Sequence, residues 1–269
     1  MMDPILHQTL PAALIPRRHP AKLPGIQPLH LDHWLIRDEV FEGQMAERHR
    51  LLTGFRAEVF HQAPDAQAAA TEVLDLILQQ LSKDPQYQVQ SHQVTRPDGV
   101  VVPINRSKPL ETAGQLVQED LCLLQKRDQE HVLTAAFLCF PASWWLDEKI
   151  LRPLSAIHTP VAPYDADMAA RVQRMLDLMR PEQPLWRSNL LFYNDPALFA
   201  PRSEASPRPD TNGTHGYVRA ERQSLIKLPD TQAVVFSIHT YLARLTDLPV
   251  KDRDAINLAI RSERQVPGQ

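Results

Sequence analysis

LCLLQKRDQEHVLTAAFLCFP, residues 121–141, decides the fold class. Two apolar runs, Leu121 to Lys126 and Val132 to Phe140, flank the charged turn RDQE, the pattern of an antiparallel hairpin. Pro141 has no N–H to give to a ladder and ends the second strand. Further along, Tyr217 to Leu228 and Ala233 to Tyr241 flank LPDTQ as a second hairpin, and 190–193 reads as another strand. Upstream the periodicity is helical. DHWLIRDEVFEGQMAERHRLL (32–52) carries Leu35, Val40, Met45 and Leu52 behind Asp32, a good N-cap residue. DAQAAATEVLDLILQQL (65–81) is alanine-rich, capped by Asp65, with Val73, Leu74, Ile77, Leu78 and Leu81 on one face. Between the hairpins, 167–179 puts Met168, Val172, Met175 and Met179 on one helical face, and 251–263 reads as a closing helix. Helices first, then two antiparallel hairpins with a helix between them, describe an α+β domain. The Pro- and His-rich residues 1–30 lack periodicity and read as an extended arm over a single domain, 31–269.

Composition narrows the function classes. The 269 residues are 43% hydrophobic and 23% charged, ordinary for a globular protein. A net charge of -3 supplies no field for a phosphate backbone, which argues against nucleic-acid binding. Proline outnumbers glycine 24 to 8, pointing to fixed loops interleaved with apolar runs. No apolar run reaches membrane-spanning length, so a cytoplasmic protein without membrane contact is expected. Cys122 and Cys139 sit inside strand-like runs, as buried free thiols do. GxGxxG, GxxxxGK[ST] and GxSxG are all absent, so neither dinucleotide binding nor an α/β-hydrolase elbow is supported. A redox enzyme built on this chain would take electrons from a partner.

Chemistry-bearing residues cluster after the first hairpin. In 130–164, EHVLTAAFLCFPASWWLDEKILRPLSAIHTPVAPY, His158 is followed by Pro160 and Pro163, which fix φ at two of the next five residues. A histidine so framed is either a structural donor to a loop carbonyl or a ligand. Trp144 and Trp145 either cap the core edge or line a cavity. In YVRAERQSLIKLP, alternation sends Arg219 and Glu221 to one side of a strand and Arg222 to the other. These charges are solvated or cross-strand paired, or the arginines bind carboxylates beside an apolar cavity. Glu119 and Asp120, at the mouth of an apolar strand, either order a loop or bind a cationic amine. Glu58 and His61 have the spacing of a di-iron Glu-x-x-His but lack a second pair, and His30 with His33 lacks further zinc ligands.

Taken together, 24–52, 109–124, 132–144, SAIHTPVAPY (155–164) and VRAERQSLIKLPDTQAVVFSIHTYL (218–242) resemble the haem-dependent oxidative N-demethylase family, which includes the catalytic subunit of dimethylamine monooxygenase. The resemblance implies a PAS-like fold, an antiparallel sheet with flanking helices, around haem b. It implies oxidative N-demethylation of a small secondary methylated amine with O₂, electrons from a separate flavin and iron–sulfur reductase, and formaldehyde as product. On that reading His158 is the axial ligand, and Arg219, Arg222 or Lys227 neutralise the propionates. Trp144 and Tyr164 line the cofactor site, while Glu119, Asp120 or Glu221 orient the protonated amine and relay protons. Two positions depart from the family pattern near the expected pocket: Ala162–Pro163 stand in reversed order, and Leu190 replaces a tryptophan. Other readings of the same resemblance are a haem or gas sensor or carrier and a haem-free interaction module.

Overall fold

The computed structural model describes residues 3–15, 25–142, 144–158, 165–206 and 215–263, with side chains to 258. Both expected hairpins form. Strands β6 (Asp120–Arg127) and β7 (Glu130–Phe137) turn through Asp128, whose φ of 54° lies in the left-handed region that aspartate tolerates. Strands β9 (Tyr217–Lys227) and β10 (Val234–Arg244) pair along their full length. The hairpins join through β10 and β6, Val234 opposite Leu124 to Ile238 opposite Asp120. With β1 (Gln27–Pro28), β2 (Phe60–Gln62) and β8 (Leu185–Tyr193) they form an antiparallel sheet of seven strands, in the order β1-β8-β9-β10-β6-β7-β2. A second sheet of three strands, β3 (Gln88–Val89), β4 (Gln93–Thr95) and β5 (Val101–Pro103), sits apart from it. The fold is mixed α+β and open, with eight α-helices among the described residues.

Alternation along the strands gives the large sheet two different faces. Leu121, Leu123, Val235 and Ile226 point to the larger core, made with α1 (Phe41–Gly54), α2 (Arg56–Val59), α3 (Gln67–Leu81) and α4 (Pro109–Gly114). On α3, Val73, Leu74, Ile77 and Leu81 are buried as their spacing requires. Cys122, Leu124, Val234 and Ile238 point the other way, toward α5 (Leu146–Lys149), α6 (Leu154–Ile157) and α7 (Ala166–Leu178). There Asp165, not a residue further on, caps α7 through the Met168 N–H at 2.8 Å. Residues 3–15 and α8 (Val250–Glu263) cover the first face where it borders β8–β10, burying Leu10, Leu14 and Ile256.

One helix starts later than its periodicity suggests. Residues 31–33 make only a single 3-10 turn, and α1 begins at Phe41. The intervening backbone has better partners than a helix provides. Ile36 N–H donates to Glu119 at 2.8 Å, Asp38 N–H to Gln118 at 3.2 Å, and buried Trp34 gives its indole N–H to Ser237 at 3.0 Å. Asp32 pairs with Lys83 rather than capping a helix, and Asp65 lies in a 3-10 turn and pairs with Arg127. Among the described residues, no helix is long and apolar enough to cross a membrane.

Candidate functional site

His158 closes α6, its own N–H bonded to the Leu154 carbonyl. The ring Nδ1 lies 2.9 Å from the same carbonyl, which can only accept, so Nδ1 carries the proton and Nε2 the lone pair. Burial lowers the ring's affinity for a second proton, and the positive charges of Lys149 and Arg187 lower it further. The result is a neutral, tautomer-fixed imidazole beside the sheet.

The sheet face that α6 and α7 cover is polar in one region. Arg187, Gln223 and Ile238 lie in one row across β8, β9 and β10, and Asn189, Glu221 and Thr240 lie in the next. Glu221 accepts from Gln223 at 2.9 Å and from Asn189 at 3.3 Å, and Arg219 Nε lies 3.5 Å from its other oxygen. Arg219 is anchored through the carbonyls of Leu198 and Phe140. Among the described residues, Arg187 Nε and Thr240 Oγ1 are buried here without a hydrogen-bond partner, and Arg219 Nε has only the 3.5 Å approach to Glu221. Orphaned donors cost about 1–3 kcal/mol each and mark a place where a ligand completes the bonding. Burial destabilises the Arg187 cation, and the Glu221 carboxylate partly restores it. Leu185, Leu225, Phe236, Ile157 and half-buried Trp144 supply apolar surface around this patch. Of these residues, sequence reasoning singled out His158, Arg219, Glu221 and Trp144. It missed Arg187, Asn189 and Thr240, whose signal was their alternation on strands whose partners were not yet known.

The other residues read from the sequence stand elsewhere. Asp120 is fully buried, 2.6 Å from Arg48, and takes the N–H groups of Cys139 and Phe140 at 2.8 and 2.9 Å. Arg48 spends its remaining donors on the carbonyls of Gly114, Gln118 and Glu119. A Cβ on Gly114 would overlap the Phe137 ring, so glycine lets this carbonyl approach. Lys227 faces the same side as Arg219 but lies about 26 Å along the strand from it, bonded to the Leu176 carbonyl at 3.3 Å. Arg222 and Glu119 face the opposite side of the sheet, as does Leu190, which packs with Leu14, Val218 and Tyr241. Tyr164 and the Ala162–Pro163 pair lie outside the described residues. Both cysteines are free and buried, and burial pushes the Cys139 thiol up to about 12.

Glu119 belongs to a separate buried cluster. His239 lies between Glu119, 3.1 Å from Nδ1, and Asp38, 2.9 Å from Nε2, and His7 reaches the same Asp38 oxygen at 2.8 Å. The Tyr241 ring sits 4.7 Å from that of His239. Burial disfavours a charged His239, but the hydrogen bonds to Asp38 and Glu119 outweigh it and hold the imidazole up to about 9. A proton held more tightly in the folded chain stabilises fully below the ordinary value near 6.5 and is lost as pH rises through about 9. Melting temperature is therefore expected to fall across that window, by the equivalent of roughly 3 kcal/mol. His239→Gln should flatten the slope, and a wild-type melting temperature flat from neutral to alkaline pH would sink the imidazolium assignment.

Comparison with known proteins gives a family: the model described as haem-dependent oxidative N-demethylase, alpha subunit-like, matches residues 25–266.

Proposed function

The chain belongs to the haem-dependent oxidative N-demethylase, alpha subunit-like family, and from that membership we propose that it oxidatively removes a methyl group from a small secondary amine. The observation that carries the reading to particular residues is Arg187 Nε, buried and without a hydrogen-bond partner among the described residues, on the face shared with neutral His158. The donor set fits haem b. His158 Nε2 would bind the iron, Arg187 and Arg219 would hold the propionates, and Leu225, Phe236 and Trp144 would supply apolar surface to the cofactor. When bound, haem supplies oxygen activation and oxidising power for the methyl group. The overall change consumes one O₂, two electrons and two protons per methyl group and yields the demethylated amine, formaldehyde and water. Electrons would come from a separate flavin and iron–sulfur reductase.

The chain's own part is binding and protons. Glu221, 3% exposed and steadied by Gln223, Asn189 and Arg219, is the anion available to a protonated amine on this face. A carboxylate here would pair with the amine as an ammonium, which must give up its proton locally before oxidation. Asp120 takes no part in this contact; it fixes the Phe140 turn whose carbonyl anchors Arg219. Residues 31–269 would act as one domain, with 1–30 as an arm.

The test is formaldehyde release from dimethylamine under air by haem-supplied protein, with photoreduced flavin as electron donor. One formaldehyde per amine consumed is expected. Glu221→Gln should raise the KM for amine by about tenfold or more, the worth of a charged hydrogen bond, while the haem spectrum stays unchanged. A full haem complement with no formaldehyde from any methylated amine would reject the enzyme reading in favour of a haem carrier or sensor.

A further inference from the structure

On the sheet face away from His158, the coverings leave a gap. Helices α1, α3 and α4 cover one part, and residues 3–15 with α8 cover another. Between them lies a groove of about 340 Å³. Its floor is Trp186 from β8, Arg222 from β9 and Tyr241 from β10, and its walls include Pro11, Leu14 and Pro28. That volume is at the small end of ligand pockets, and the lining is mostly apolar with one strong cation, the usual make-up of a small-molecule site.

Arg222 is half-buried, its guanidinium carbon 5.3 Å from the Trp186 ring centre, and Nη1 donates to the His33 carbonyl at 2.6 Å. Among the described residues no carboxylate comes within ion-pair distance of it. Glu119 acts on it from farther away and is itself held by His239 at 3.1 Å. Burial works against this cation, yet arginine does not give up its proton. A partly desolvated guanidinium with spare N–H groups and no carboxylate within ion-pair distance among the described residues is completed best by an anion. One fork satisfies one carboxylate. His30 and His33 also line the groove, but Pro11, Leu14, Pro28, Leu29 and Ile36 make most of its wall, which suits an apolar body better than a phosphate dianion.

We propose that this groove is a second binding site, separate from the His158 face, for a small organic carboxylate with an apolar body. The carboxylate pairs with Arg222 and the apolar body lies along Pro11, Leu14 and Pro28. Benzoate, hexanoate and cyclohexanecarboxylate are the probes, titrated into the full chain at millimolar concentrations while NMR follows the Trp186 indole N–H. Benzyl alcohol is the neutral match for benzoate. Expected are saturable shifts with at least one carboxylate, and binding about tenfold or more weaker both for benzyl alcohol and for benzoate with Arg222→Leu. Arg222→Lys keeps the charge but not the fork and is expected to weaken benzoate severalfold, so the test survives a leucine variant that fails to fold. Saturation by none of the three carboxylates overturns the proposal. So does equal affinity for benzoate and benzyl alcohol, or unchanged benzoate affinity in a folded Arg222 variant.

Discussion

Protein prepared with haem supplied is expected to show a stoichiometric Soret band, and His158→Ala to lose it or shift it strongly. The argument rests on how the ring is held. Its Nδ1–H is committed to the Leu154 carbonyl at 2.9 Å, which fixes the tautomer and leaves Nε2 as the basic atom. Burial and two neighbouring cations keep the ring neutral, the form that binds a metal. Alanine removes the ligand while leaving the α6 backbone, whose turn is closed by backbone N–H groups and not by the side chain. Ultraviolet–visible spectra of the two proteins decide the matter. An unchanged spectrum in the variant would mean that haem is held by another residue, and no band in the wild type would favour a haem-free module.

Asp120→Ala should be the most damaging substitution to stability, costing about 3–5 kcal/mol, as the loss of one partner from a buried ion pair does. Arg48 would keep its charge with only the three carbonyls around it, and the N–H groups of Cys139 and Phe140 would lose their acceptor. For a chain of this size the melting temperature should drop by about 10 °C or more. Urea unfolding of wild type, Asp120→Ala and Arg48→Met gives the comparison. If the alanine variant unfolds at the wild-type midpoint, the pair is not what fixes this corner. The loss should also reach the site, because the released Phe140 carbonyl is one of the two that anchor Arg219.

Much of the sheet was legible because its signals are local. RDQE and LPDTQ sit between apolar runs, and each turn needs only a few adjacent residues to declare itself. The small three-stranded sheet was not, since strands of two or three residues carry no readable period. The late start of α1 was hidden for another reason: the acceptors that draw 34–40 away from helix, Gln118 and Glu119, lie about eighty positions away in sequence. The site divides along the same line. Alternation correctly separated Arg222 from Arg219 and Glu221, because it is a property of one strand. Assigning Glu119 and Asp120 to one shared role failed to foresee that adjacent acids would serve two clusters, His239 for one and Arg48 for the other. Arg187 and Thr240 became meaningful only once β8, β9 and β10 were laid side by side.

The His239 cluster also sets an order of events during synthesis. Its acids, Asp38 and Glu119, and the imidazole of His7 all emerge from the ribosome well before His239, and His7 meets Leu242 across 235 positions. Until β10 appears, Asp38 and Glu119 lack the imidazole they share, and burying both without it is costly. Trp34 and the Asp38 side chain must wait for their partners, since Ser237 and His239 arrive together on one strand. Closure of this cluster is then a late step that joins the first residues of the chain to β10.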